Sequence, residues 1–123
     1  MDKKLVAKAV KIAKEIFPPN GKITYATIKT KDESFYARIH LSGVEPYHIE
    51  FNENVFDEYF LKNDIQDKYQ QLIFIIRVTL HEFCHSRTHN VIKHKPTDEM
   101  ICEFIERIFI GTLENIHKIE CKE

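Results

Sequence analysis

Three observations predict a single α+β domain. Helical periodicity occupies both ends of the chain, and three short stretches of two-residue alternation lie between them. The length, 123 residues with 43% hydrophobic content, suffices for one core and not for two.

The elements follow in order. Residues 1–17 thread Lys3, Lys4, Lys8, Lys11 and Lys14 through Leu5, Ala9, Ile12 and Ile16, the pattern of an amphipathic helix. Pro18-Pro19-Asn20-Gly21 stops it and turns the chain. In Lys22–Thr30, Ile23 and Tyr25 alternate with Thr24 and Ala26. In Ser34–Leu41, Phe35, Ala37, Ile39 and Leu41 oppose Tyr36, Arg38 and His40. In Tyr47–Asn52, Tyr47, Ile49 and Phe51 oppose His48, Glu50 and Asn52. Polar turns separate these segments, so they predict a three-stranded antiparallel meander with one buried face. Val55–Asn63 fits either a short helix or an irregular link. From Asp64 to Asn90 the period is 3.6, with Tyr69, Leu72, Ile76, Leu80 and Phe83 on one stripe. Phe74 and Val78 run into His81 and His85 on another. Leu72–Leu80 is apolar nearly all round, as a central helix should be. After a connector, Thr97-Asp98-Glu99 offers a helix start with an N-cap and early acids. Ile101, Phe104, Ile105, Ile108 and Phe109 supply its expected buried face, Gly111 an expected bend, and Leu113–Glu123 a further amphipathic segment or tail.

Composition excludes several functions. With 18 basic and 19 acidic residues interspersed, no basic nucleic-acid surface is expected. The longest apolar run, Leu72–Ile76, is too short to span a bilayer, and the lysine-threaded first helix is not a signal peptide. Cys84, Cys102 and Cys121 are odd in number and form no C-x-x-C pair, which argues against a disulfide framework and for a reducing compartment. A soluble, cytoplasmic protein is expected, with no membrane partner.

The residues that carry chemistry are His81-Glu82-Phe83-Cys84-His85. Side chains four apart stand one above the other on a helix, so both imidazoles can reach one metal ion, and the intervening Glu82 can reach a water on that ion. A catalytic zinc takes three protein ligands. His89 is two turns, about 12 Å, from His81 and too far to be the third. A metzincin's third histidine would fall at Val91, which excludes that class. His94 lies in the connector; Glu99, or failing it Glu103, opens the next helix and is the better candidate. The ordinary readings are that Cys84 and Cys102 are small packing residues, that Glu103 and Glu106 belong to a solvated face, and that His40, His48 and His117 sit on the surface.

Joined to Glu99-Met100-Ile101-Cys102-Glu103, the pentapeptide resembles the gluzincin metallopeptidases, which pair H-E-x-x-H with E-x-x-small-acid on a second helix. The resemblance is to the soluble minigluzincins, akin to Ste24- and HtpX-like catalytic domains, and spans most of residues 1–110. It implies a zincin-like fold and one zinc ion per chain held by His81, His85 and Glu99, with Glu103 supporting a liganding histidine from behind. The short connector from His85 to Glu99, and Glu rather than Asp at 103, depart from the family's commoner pattern.

The function expected is zinc-dependent hydrolysis of peptide bonds in a peptide or protein substrate. Glu82 would be the catalytic base, His94 or Tyr59 a donor to the developing oxyanion, and Tyr47–Glu53 a substrate-pairing edge strand whose His48, Glu50 and Asn52 shape the subsites. The rival is a catalytically silent zinc-binding or interaction module, closed by a fourth ligand such as His94 or Cys121. Leu113, Ile116 and Ile119 recur at three-residue spacing beyond the point near Gly111 where the fold is expected to be complete, so residues 112–123 are expected to cover the cleft as in a zymogen, or to form a homodimer, with the Cys121 thiolate able to fill zinc's open position.

Overall fold

The computed structural model describes residues 1–31, 33–41 and 47–121, with side chains as far as Thr112. The described residues form a small α+β domain of four helices and a three-stranded mixed sheet. Helix α1 spans Lys3–Ile16, strands β1 and β2 span Ile23–Ile28 and Ala37–His40, and β3 spans Tyr47–Asn52. Helices α2, α3 and α4 span Glu53–Lys62, Lys68–Thr88 and Lys95–Cys121. No helix of the described residues is long and apolar enough to cross a membrane.

Helix α1 starts where the Asp2 carboxylate accepts the Lys4 amide at 2.9 Å, and it ends before Pro18 and Pro19. Its buried face is Val6, Ala9, Val10 and Ala13, while Leu5, Ile12 and Ile16 flank the core. Alanine at two of those four positions lets α1 approach the backbone of α3 closely. The corner after α1 is tied to the far end of α3: Arg87 Nε donates to the Pro18 carbonyl at 2.7 Å and the Asn20 amide donates to Ser86 Oγ at 3.0 Å. Gly21, at φ 110°, takes a left-handed conformation that a side chain would resist.

The sheet is not the expected antiparallel meander. Its order is β1-β3-β2, with β1 parallel and β2 antiparallel to β3. Alternation reports which face of a strand is buried and is silent on which strand lies beside it. What centres β3 is burial: Tyr47, Ile49 and Phe51 are all buried against the helices. The chain therefore leaves β1, crosses to the far edge as β2, and returns through the middle. Asn52, fully buried, fastens that crossing, since its side chain accepts from the Thr30 amide at 3.4 Å and donates to the Glu33 carbonyl at 3.3 Å.

Strand β3 runs straight into α2, which resolves the ambiguous stretch as a helix. Phe56 and Phe60 anchor it in an aromatic cluster with Tyr36 and Phe74, and Tyr59 stacks on Phe74 at 4.3 Å. Helix α3, N-capped by Asp67, is the central element and is buried along Leu72, Ile75, Ile76, Thr79, Leu80 and Phe83. Tyr69, expected on that stripe, is 37% exposed at the helix entrance.

Helix α4 departs most from expectation. It begins at Lys95, earlier than Thr97, and passes through Gly111 to Cys121 as one continuous helix in place of a separate C-terminal segment. Cys102, Glu106 and Ile110 face inward, while Phe104 and Ile108, expected in the core, are 64% and 49% exposed. The side chains of Leu113, Ile116, His117, Ile119 and Cys121 lie outside the described residues, as does any covering of the cleft by them.

Candidate metal centre

Polar residues displace the apolar stripe of α4 because of what α3 presents to it. One turn apart, His81 and His85 bring their Nε2 atoms to 3.1 Å of each other. Glu99, from the opening turns of α4, lays its carboxylate across both, with Oε2 3.0 Å from His81 Nε2 and Oε1 2.8 Å from His85 Nε2. Each ring is held from behind. His85 Nδ1 meets Asp98 Oδ2 at 2.9 Å, and His81 Nδ1 meets Glu106 Oε1 at 3.3 Å. Those carboxylates are themselves fixed: Asp98 accepts from the Thr88 hydroxyl and contacts Cys102 Sγ, and Glu106 accepts from Arg77 Nε at 3.0 Å.

Proton accounting tests whether a metal fits. If each Nδ1–H donates to its carboxylate, both Nε2 atoms carry lone pairs. Two lone pairs and a carboxylate then converge on one point, an arrangement that repels itself unless a cation or extra protons lie among them. Tetrahedral zinc with bonds near 2.0–2.1 Å spaces its donors about 3.3 Å apart. The observed 2.8–3.1 Å separations reach that value through small side-chain rotations. The donor set of two imidazoles and one carboxylate, with carboxylates behind both rings, fits zinc. A second convergent group, His85, Asp98 and Cys102, approaches the same imidazole through Nδ1, with Cys102 Sγ at 3.5 Å. Because it shares His85, it reads as that ring's support.

Electrostatics respond to the crowding. Burial opposes a charge on His81, yet the Glu106 hydrogen bond and the carboxylates of Glu82, Glu106 and Glu99 outweigh it and raise the imidazole to about 9. Glu82 is itself buried, and burial pushes its carboxyl up to about 8 against the pull of His81 and of a hydrogen bond from the Ile39 backbone. Asp98 moves the other way. Burial works against its charge, but hydrogen bonds from Thr88 and His85 hold it below the usual carboxylate range. Cys84 and Cys102 are buried free thiols that interact across the α3–α4 seam, which lowers Cys84 and raises Cys102.

A cleft of about 530 Å³ opens onto the site, lined by His81, Glu82 and Glu99 together with Tyr36, Tyr59 and Arg77. The larger hollow of about 810 Å³ adjoins it across Tyr36 and Tyr59 but touches neither histidine. Of the residues singled out from sequence, His81, Glu82, His85 and Glu99 come together. Glu103 does not support a histidine: it is exposed on the cleft rim, and Asp98 and Glu106 do that work. Tyr59 lines the cleft, whereas His94 is exposed, pairs with Thr97 at 2.8 Å and is not among the lining residues.

The expected edge strand is corrected as well. His48, Glu50 and Asn52 lie on the central strand, where His48 meets Thr24, Glu50 pairs with Arg38 and His40, and Asn52 is buried. The edge beside the cleft is β2. The Tyr36 carbonyl bonds inward to the Asn52 amide, so by alternation Ala37 and Ile39 turn their backbone groups outward, and Ile39 meets Glu82. Sequence reasoning does not reach Asp98, Glu106, Arg77 or Ile39. The available signal was acids recurring at Glu99, Glu103 and Glu106, three to four residues apart and so along one side of the helix.

No family model, curated protein or solved structure matches this chain.

Proposed function

We propose that this protein is a zinc-dependent peptidase of gluzincin type, with a zincin-like fold and a minigluzincin-like site. One observation carries the reading: two Nε2 atoms and the Glu99 carboxylate converge within about 3 Å, next to a buried carboxyl at Glu82 and an open cleft. His81, His85 and Glu99 would hold the ion. When bound, zinc lowers the pKa of a water and polarises a carbonyl.

The rest of the chemistry belongs to the chain. Glu82 accepts the attacking water's proton and hands it to the leaving amine, a task suited to a carboxyl that burial holds near neutrality. The Ile39 backbone hydrogen bond keeps that carboxyl aimed while the proton moves. Asp98 and Glu106 hold the Nδ1 sides of the two imidazoles, so that Nε2 is the atom each ring would turn to the ion. Substrate enters as an extended peptide on the open edge of β2, where the outward backbone groups of Ala37 offer hydrogen bonds independent of sequence. Tyr59, at the cleft wall, would donate to the oxyanion.

The test separates base from ligand. Glu82→Gln should retain stoichiometric zinc and lose cleavage of a denatured protein substrate by about 10²-fold or more. A chelator should abolish the wild-type activity. Cleavage that persists in Glu82→Gln rejects the assigned base, and wild-type protein that binds zinc without cleaving anything returns the silent-module reading.

A further inference from the structure

We infer that the outer face of α4 is a homodimer interface, on which two copies of this chain pair antiparallel about Phe104. Phe104 lies two residues from both Cys102 and Glu106, about 200° around the helix, and so points away from the rest of the domain. Met100, Phe104 and Ile108 follow at four-residue spacing and are 70%, 64% and 49% exposed, with Ile101 beside them at 36%. Contiguous large apolar side chains along one helix face mark an interaction surface, in contrast to single exposed residues scattered over a protein.

The stripe is self-complementary. A two-fold axis at Phe104 sets that ring against its own copy and Met100 against Ile108 of the second copy. Seven residues to either side stand Thr97 and Gly111, small enough for the two helices to close at the ends of the stripe. Charge selects the direction. Glu103 and Arg107 are exposed on one flank, and neither is among the ion-paired side chains of the described residues. In an antiparallel pair that flank faces itself, and Arg107 comes within two residues' rise, about 3 Å along the axis, of the second copy's Glu103. The contact occurs twice. A parallel pair would instead set Arg107 against the apolar flank of Ile101 and Ile108.

Sedimentation equilibrium on the full chain tests this independently of zinc or activity. Wild-type protein should be dimeric at micromolar concentration, and Phe104→Glu should be monomeric with an unchanged helical circular-dichroism spectrum. Arg107→Glu should weaken association about tenfold, and the charge swap Glu103→Arg with Arg107→Glu should restore it. Phe104→Cys in a Cys121→Ser background should form an intermolecular disulfide under mild oxidation. Wild-type protein that stays monomeric overturns the inference, whether or not it binds phosphatidylcholine vesicles or another protein through this face. So does a dimer indifferent to Phe104→Glu, or a charge swap that fails to restore pairing.

Discussion

Helix α3 is packed on two sides by opposite means. Against α1 it meets Val6, Ala9, Val10 and Ala13, an apolar seam with two alanines. Against α4 it meets Asp98, Glu99, Cys102 and Glu106, and its own contribution includes His81, Glu82 and His85. The first seam is what a folding chain gains from burying apolar area. The second places several carboxylates where burial disfavours charge, which no stability argument recommends. Such a seam is what the proposed metal site requires, and the stability of the domain must come from the other side. Phe83, fully buried on α3 between the two, gives the largest test. Phe83→Ala should lower the unfolding free energy by about 3–5 kcal/mol in urea titrations, with or without metal. A loss under 1 kcal/mol would mean that the polar seam carries more of the fold than supposed.

Within the polar seam, Asp98 and Glu103 are opposite cases that sequence alone exchanged. Asp98→Asn preserves shape but weakens the acceptor on His85 Nδ1, so zinc affinity measured against a competing chelator should fall about 10–100-fold. Glu103→Gln, on the exposed rim, should leave that affinity within about twofold, as surface charge changes usually do. Equal losses in the two variants would show that position 103 supports the site after all.

That exchange marks the limit of legibility in this sequence. The order of elements, the central helix at Leu72–Leu80 and the convergence of His81, His85 and Glu99 could be read, the first two from local periodicity and the last from side chains one turn apart and the start of the next helix. Strand order could not, because the alternation of each strand is the same whether β2 or β3 lies in the middle. Nor could the rotation of α4. Its apolar stripe argued for burial of Phe104 and Ile108, but the histidines on α3 draw Asp98 and Glu106 inward and turn that stripe outward. Local pattern loses where a polar partner across a seam decides which face is inside.

Protonation should expose the cost of the polar seam once metal is removed. His81 rises from 6.5 to about 9 in the fold, so its proton stabilises the native state fully below pH 6.5. That contribution disappears as pH climbs through 9. Glu82, raised from 4.5 to about 8, acts in the same sense, because the fold favours its protonated form and loses that advantage between those values. The Tm of chelator-treated protein should therefore decline from pH 6.5 to 9. With zinc present the lower part of that window should show the reverse slope, since ligation requires unprotonated imidazoles. A metal-free Tm that rises with pH would contradict both assignments.

The smallest expected effect lies where α4 makes no demand on its sequence. Gly111 has helical backbone, and a Cβ built there meets nothing within 4 Å. Alanine at that position adds no contact and creates no clash among the described residues. It does reduce the conformational freedom of the unfolded state, worth about 0.5–1 kcal/mol in a helix interior. Measured in a Phe104→Glu background, so that association does not contribute, Gly111→Ala should raise the thermal midpoint by a few degrees. The same change in the wild-type chain brings a methyl group toward Thr97 of the second copy, and the gain should shrink or vanish there. A midpoint that falls in both backgrounds would mean that α4 does not run straight through Gly111, and with it the alignment of the outer stripe about Phe104 would be lost.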